Sequence, residues 1–167
     1  MQIEIRQYEQ RDAAQAAEIW NEVVEDGKAF PQMEKLDEVT GHAFFTEQTY
    51  TGVAYDAATG ELVGLYILHP NNVGRCAHVA NASYAVASSV RGLGLGRALV
   101  EDSLAQAARK GFRGLQFNAV VASNEGAVHL YEDMGFTRVG TIPGGFVNFM
   151  GAVAIGALTE ASLGTAG

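Results

Sequence analysis

The chain reads as one α/β (α+β) domain built around a mixed sheet, and three observations lead there. Segments with strand-like alternation and segments with helical periodicity follow one another in the order β-α-α-β-β-β-α-β-α-β. A length of 167 residues suits one compact domain rather than two. An apolar fraction of 48% beside a charged fraction of 18% is that of an ordinary folded protein.

Ile3 and Ile5 alternate with Gln2, Glu4 and Arg6, which predicts a first strand with one buried face. Arg11-Asp12 opens a helical stretch to about Glu25, with Ala16, Ile19, Trp20 and Val23 at helical spacing. Gly27 and Pro31 mark a loop, and a second helix is expected from Leu36 to about Glu47. Tyr50 to Asp56 and Leu62 to His69 read as strands joined by a turn at Ala57-Ala58-Thr59-Gly60. A polar loop from Pro70 to Gly74 precedes a strand from about Ala77 to Val86. Val100, Leu104, Ala107 and Ala108 then fall on one helical face, and Gly111 supplies the stop. Leu115, Phe117, Ala119 and Val121 alternate as a strand. Ser123-Asn124 can cap a short helix to about Met134, and Phe136 to Ile142 reads as another strand.

A net charge of −8 repels phosphate backbones, so nucleic acid is not an expected partner. The single cysteine, Cys76, leaves no internal disulfide and no cysteine metal cluster. Met1 to Ile5 carries no basic segment followed by an apolar run, and no apolar stretch approaches the ~20 residues of a membrane span. A soluble, cytoplasmic protein without a membrane partner is expected. His42, His69, His78 and His129 show no metal-ligand spacing, so no metal is expected either.

The most informative segment is Val90-Arg91-Gly92-Leu93-Gly94-Leu95-Gly96-Arg97, between a strand and a helix expected to start near Gly96. Glycines let successive backbone N–H groups converge on an anion, and the following helix adds its free N–H groups and positive end. Arg91 and Arg97 can add charge, so a pyrophosphate is the natural occupant. A P-loop needs Gly-Lys-Ser/Thr, and here Gly96 is followed by Arg97-Ala98. A dinucleotide fingerprint needs a sixth-position glycine where Arg97 stands, and an acid about 20 residues on, which Phe112 to Ser123 lacks. The pattern Arg/Gln-x-x-Gly-x-Gly/Ala is met in full by Arg91 to Gly96.

With that pattern, with Asn118, and with the run from Asn124 through Ala127, Leu130 and Tyr131 to Gly135-Phe136, the chain resembles the GCN5-related N-acetyltransferase (GNAT) superfamily, and within it the bacterial small-amine acetyltransferases. The resemblance extends from Ile3 to about Ile142. It implies a single N-acetyltransferase domain over residues 1–167, divergent from about 143, with a mostly antiparallel sheet flanked by helices. It also implies acetyl-CoA as acyl donor. Tyr84, Ala85 and Val86 match the strand that pairs with the pantetheine arm. Arg91, Gly92, Leu93, Gly94, Leu95, Gly96 and Arg97 match the pyrophosphate loop, and Asn124 matches a further cofactor contact. Tyr131 matches the residue that protonates the departing thiolate.

The general base is less plain. The related enzymes often carry a glutamate on the fourth strand, and the nearest match is Asn81, which accepts no proton at neutral pH. His78, three residues earlier, is the candidate, because an imidazole titrates near neutrality; a water chain, Glu22 and Glu25 are alternatives. The expected reaction is direct acetylation of a small amine, of amino-acid or amine-toxin type. A protein acceptor, or a homologue that binds acyl-CoA without turnover, is the alternative. The segment from Asn21 to Met33, with Phe30-Pro31, is expected to border the acceptor pocket. Gly151 to Leu158 is a run of small apolar residues, expected to be buried as a divergent last strand or in a homodimer contact.

Overall fold

A computed structural model describes residues 1–148 and 151–159. Its strands are β1 (Ile3–Gln7), β2 (Tyr50–Asp56), β3 (Leu62–Pro70), β4 (Val79–Val86), β5 (Gly114–Val121), β6 (Thr137–Asn148) and β7 (Gly151–Thr159). Its helices are α1 (Ala13–Asp26), α2 (Glu38–Glu47), α3 (Leu95–Arg109) and α4 (Glu125–Asp133). The strands form one sheet in the order β1-β2-β3-β4-β5-β7-β6. Neighbours run antiparallel throughout, except β4 and β5, which run parallel. The expected α/β fold with a mixed sheet is the observed one.

Two apolar layers hold the helices to the sheet. On one face, Ile19, Trp20 and Val23 of α1 and Phe45 of α2 pack with Leu65 and Ile67 of β3 and Ala85 of β4. Trp20 is 1% exposed and meets Phe30 at a centroid distance of 4.4 Å. On the other face, Leu99 and Val100 of α3 pack with Tyr66 and Leu68 of β3, Leu115 of β5 and Phe136. Buried on both sides, β3 reads as a continuous apolar run instead of an alternating one.

Local chemistry sets where the elements begin. The first helix starts at Ala13 because Gln10–Asp12 forms a separate 3-10 turn. Asp12 is buried there, taking two hydrogen bonds from Arg6 at 2.7 and 2.8 Å and one from the Glu9 N–H. Asp37 caps α2 by accepting from the Thr40 N–H at 2.7 Å. The fourth strand starts at Val79, two residues later than its alternation suggests, because Gly74–Cys76 makes a turn entered through Gly74 at φ 57°.

The C-terminal apolar run forms β7, paired with β5 on one side and β6 on the other. The side-chain burial expected of that run lies outside the described residues. No helix among the described residues is long and apolar enough to cross a membrane.

Candidate active site

The sheet is split at its centre. Strands β4 and β5 pair only at Val79↔Gly114 and Ala80↔Leu115. Beyond Ala80, β4 stays paired with β3 as far as Val86, while β5 turns to β7. The facing edges of the two strands therefore bound a gap where a ladder would otherwise run. Two open cavities adjoin it. One of about 730 Å³ is lined by Val86, Arg91, Gly92, Leu95, Gly96 and Ser123, among others. The other, of about 400 Å³, is lined by Phe30, Pro31, His69, Asn81, Asn118 and Tyr131, among others. They share Ala29, Tyr84, Asn124 and Ala127, which form a waist between them.

The glycine loop lies at the larger cavity. Gly92 and Gly94 adopt φ of 82° and 83°, and nothing lies within 4 Å of a Cβ added at either. The left-handed backbone, and not crowding, is what requires glycine there. Gly94 is the N-cap of α3, which begins at Leu95, one residue earlier than expected; Gly94 has no side chain to satisfy the first N–H groups, which remain as donors. Arg91 reaches Asp26 at the end of α1 at 2.9 Å and donates to the Val86 carbonyl at 3.3 Å, so it braces the loop against both neighbours. Arg97 forms an ion pair with Asp133 and fastens α3 to α4, and it is not among the residues lining the cavity. The Leu93 side chain is exposed.

Behind the waist, the buried Ser103 of α3 donates to the Val100 carbonyl at 2.7 Å. Its single proton is thereby used, so the Tyr84 hydroxyl, 2.7 Å from Ser103 Oγ, donates to it. Ala85 points to the opposite face, buried against α1. Asn124 caps α4, its side chain accepting from the Ala127 N–H at 3.3 Å, and lines both cavities. Tyr131, two turns along α4, packs against Phe117 with tilted rings at a centroid distance of 4.3 Å and approaches Tyr84 at 6.2 Å. Its hydroxyl has no hydrogen-bond partner among the described residues. Burial pushes that hydroxyl well above the ordinary tyrosine range, so it remains a proton donor.

The smaller cavity is walled by Ala29 to Gln32 of the α1–α2 loop, part of the segment from Asn21 to Met33 expected to border an acceptor pocket, while Met33 is 92% exposed. Asn21 instead fixes that loop, exchanging two hydrogen bonds with the Leu36 backbone at 2.7 and 2.8 Å. Asn71 Oδ1 accepts from both Asn81 Nδ2, at 3.0 Å, and Asn118 Nδ2, at 2.6 Å, tying β4 to β5 beside the cavity.

His78 does not come to this place. It is exposed, precedes β4, has Nδ1 2.9 Å from the Arg75 carbonyl and lies outside the residues lining either cavity. Glu22 accepts from the Ser88 N–H at 2.8 Å, and Glu25 pairs with Lys35; both lie outside the smaller cavity. The histidine that does line it is His69, at the end of β3. Alternation would put His69 on the face of Ile67, but its partner across the sheet, Asn81, follows only from a register that no local pattern encodes. Among the described residues, no group of three or more His, Cys, Asp or Glu could hold a metal ion.

Comparisons with known proteins agree with this architecture. Residues 7–136 match the model of the acetyltransferase (GNAT) family. N-acetyltransferase aca1 of Schizosaccharomyces pombe is 33% identical over 137 residues, covering 73% of this chain and 66% of that protein. The chain thus spans just under two thirds of that relative's length. The structure of a GCN5-related N-acetyltransferase from Kribbella flavida superposes with a TM-score of 0.87 at 34% identity, over 95% of this chain and 97% of the other. A phosphinothricin acetyltransferase from Sinorhizobium meliloti, solved with acetyl-CoA, has a TM-score of 0.90 at 20% identity, over 98% and 90% of the two chains, a likeness of fold. With most of its length matched by the family and its glycine loop and split sheet in place, the chain belongs to the acetyltransferase (GNAT) family.

Proposed function

We propose that the chain transfers an acetyl group from acetyl-CoA directly to a small primary amine. One observation carries the reading: two cavities meet at the β4–β5 split, with an anion-binding loop at one and a protonated tyrosine at the other. The residues present suit the donor. The backbone from Gly92 to Gly96 offers N–H groups at a helix start for a diphosphate, with Arg91 alongside, as in other helix-terminal phosphate sites. The end of β4, from Tyr84 to Val86, offers an edge for the amide groups of the pantetheine arm, and Asn124 stands across from it. Leu93, Leu95 and Arg97 take part through their backbone, since the Arg97 side chain, unlike that of Arg91, is not among the residues lining the cavity.

When bound, acetyl-CoA supplies a thioester for the amine to attack. The chain's own residues do the rest. A backbone N–H near Val86 donates to the acetyl oxygen, where negative charge grows. Tyr131 holds a proton at its hydroxyl for the departing sulfur, and the wall from Ala29 to Gln32 shields the amine from water. A cytoplasmic, reducing setting suits the free, exposed Cys76. A homodimer is proposed on Val139, Ile142 and Val147, which are 64%, 59% and 76% exposed on β6, at the edge of the sheet.

Release of free thiol from acetyl-CoA across a panel of small amines and lysine peptides tests the reaction. Turnover of small amines is expected. Preference for peptides would move the acceptor class to proteins, and no turnover beside tight acetyl-CoA binding would make the chain a binding homologue. Calorimetry tests the loop: Gly94→Asp forces a side chain onto a left-handed backbone and adds a negative charge at the anion site, and Arg91→Ala removes a cation. Each is expected to weaken acetyl-CoA binding by about tenfold or more; unchanged affinity in both would remove the loop from the site.

A further inference from the structure

We propose that His69 takes the proton from the acceptor's ammonium group. This rests on the acetyl-transfer reading and fills the place that Asn81 leaves. An ammonium has no lone pair, so an amine that is charged in solution must lose a proton before it can attack a carbonyl.

The cavity narrows the choice of acceptor for that proton. Among the described residues lining it there is no aspartate, glutamate, lysine or arginine. The chain beyond Arg138 contributes no lysine, arginine or histidine anywhere, and Glu160 is its one acid. Apart from His69, the titratable groups facing the cavity are Tyr84 on β4 and Tyr131 on α4; the α1–α2 loop presents Ala29, Phe30, Pro31 and Gln32, and β5 presents Asn118. Tyr84 donates to Ser103, and Tyr131 is held protonated by burial. Neither is a base. Asn81 is an amide, with its nitrogen committed to Asn71.

His69 is placed for the task. It stands opposite Asn81 in the β3–β4 register, half-buried, on the sheet face that continues from Leu65 and Ile67 toward the α1–α2 loop. Its Nδ1 lies 2.9 Å from the Pro70 carbonyl, which can only accept. The neutral ring therefore carries its proton on Nδ1, and the lone pair sits on Nε2. The step balances simply. An N–H bond of the ammonium breaks and leaves its electron pair on the amine nitrogen; Nε2 takes the proton and the ring becomes an imidazolium. Solvent then takes that proton through the open side of the cavity.

The experiment compares two acceptors in wild type, His69→Gln and His78→Ala. One is the best alkyl amine of the panel, charged at pH 7; the other is hydroxylamine, already neutral there. His69→Gln is expected to slow alkyl-amine turnover at pH 7 by about 10²-fold, the scale of general-base catalysis. The loss shrinks as pH rises toward the amine's own pKa. Hydroxylamine turnover stays within about twofold of wild type, a difference of less than half a kcal/mol in barrier, and His78→Ala matches wild type on both. Long-range proton–nitrogen NMR of the wild type should show the neutral His69 ring protonated at Nδ1. Equal losses on both acceptors would reveal a merely structural histidine, and no loss or a proton on Nε2 would equally overturn the proposal. Failure of the wild type on every amine would instead bring down the acetyl-transfer reading, and this assignment with it.

Discussion

Tyr131 lies among three aromatic rings, those of Phe117, Tyr84 and Phe136, and its hydroxyl has no partner among the described residues. Burial that removes water from a phenol also raises its pKa, so the group gives up its proton only to a stronger base than water offers. A departing thiolate beside it would be such a base. Tyr131→Phe keeps the ring packing and removes the proton, so kcat is expected to fall by about 10²-fold with acetyl-CoA affinity nearly unchanged. Steady-state kinetics alongside calorimetry separates the two. A rise in KM with kcat intact would make the hydroxyl a binding contact. The candidate donors are legible at this scale, because the glycine loop and the run from Asn124 to Phe136 are local patterns. The role proposed for His69 is not legible there, since a histidine at a strand end has no spacing to mark it and gains meaning only from the strands beside it.

The tie between β1 and α1 is the element-scale feature most sensitive to acid. Asp12 loses solvation by burial, which alone would raise its pKa, but hydrogen bonds from Arg6 and from the Glu9 N–H outweigh this and hold it below the usual carboxylate range. A depressed folded-state pKa contributes stability above the unfolded value of about 4, and that contribution is lost as pH falls through the folded value. Asp12→Asn is expected to cost about 1–3 kcal/mol at pH 7, on the scale of charged hydrogen bonds. The gap from wild type in urea midpoints should narrow below about pH 4; a gap of constant size would mean that charge has no part in it. Most elements were readable from periodicity, because one buried face imposes alternation or a helical stripe. The 3-10 turn before α1 was not, since the Arg6–Asp12 pair that creates it is a contact between elements. Strand β7 was readable only as an apolar run: Gly151 to Leu158 has no alternation to fix its pairing.

For the whole molecule, β7 is the piece that joins β5 to β6, so the last strand in sequence is interior in space. Truncation after Phe149 would leave β5 with an open edge and β6 unpaired. Lower solubility and aggregation, read by light scattering, are the expected result; a truncated chain that stays soluble at unchanged mass would show that neither the sheet nor the proposed dimer needs this segment. The split between β4 and β5 bears on the molecule in a different way. Among the described residues the ladder between the two halves of the sheet holds two residue pairs, with α3 packed across both. A ligand laid in the cleft would act as a missing rung, completing the ladder with its own amides and shielding peptide hydrogens that otherwise exchange freely with solvent. Deuterium uptake along residues 81–86 would then slow on adding coenzyme A, while uptake in β2, already laced on both sides, would hardly change. The cleft is thus where the protein leaves its own backbone unfinished, and a donor molecule seated there would finish it.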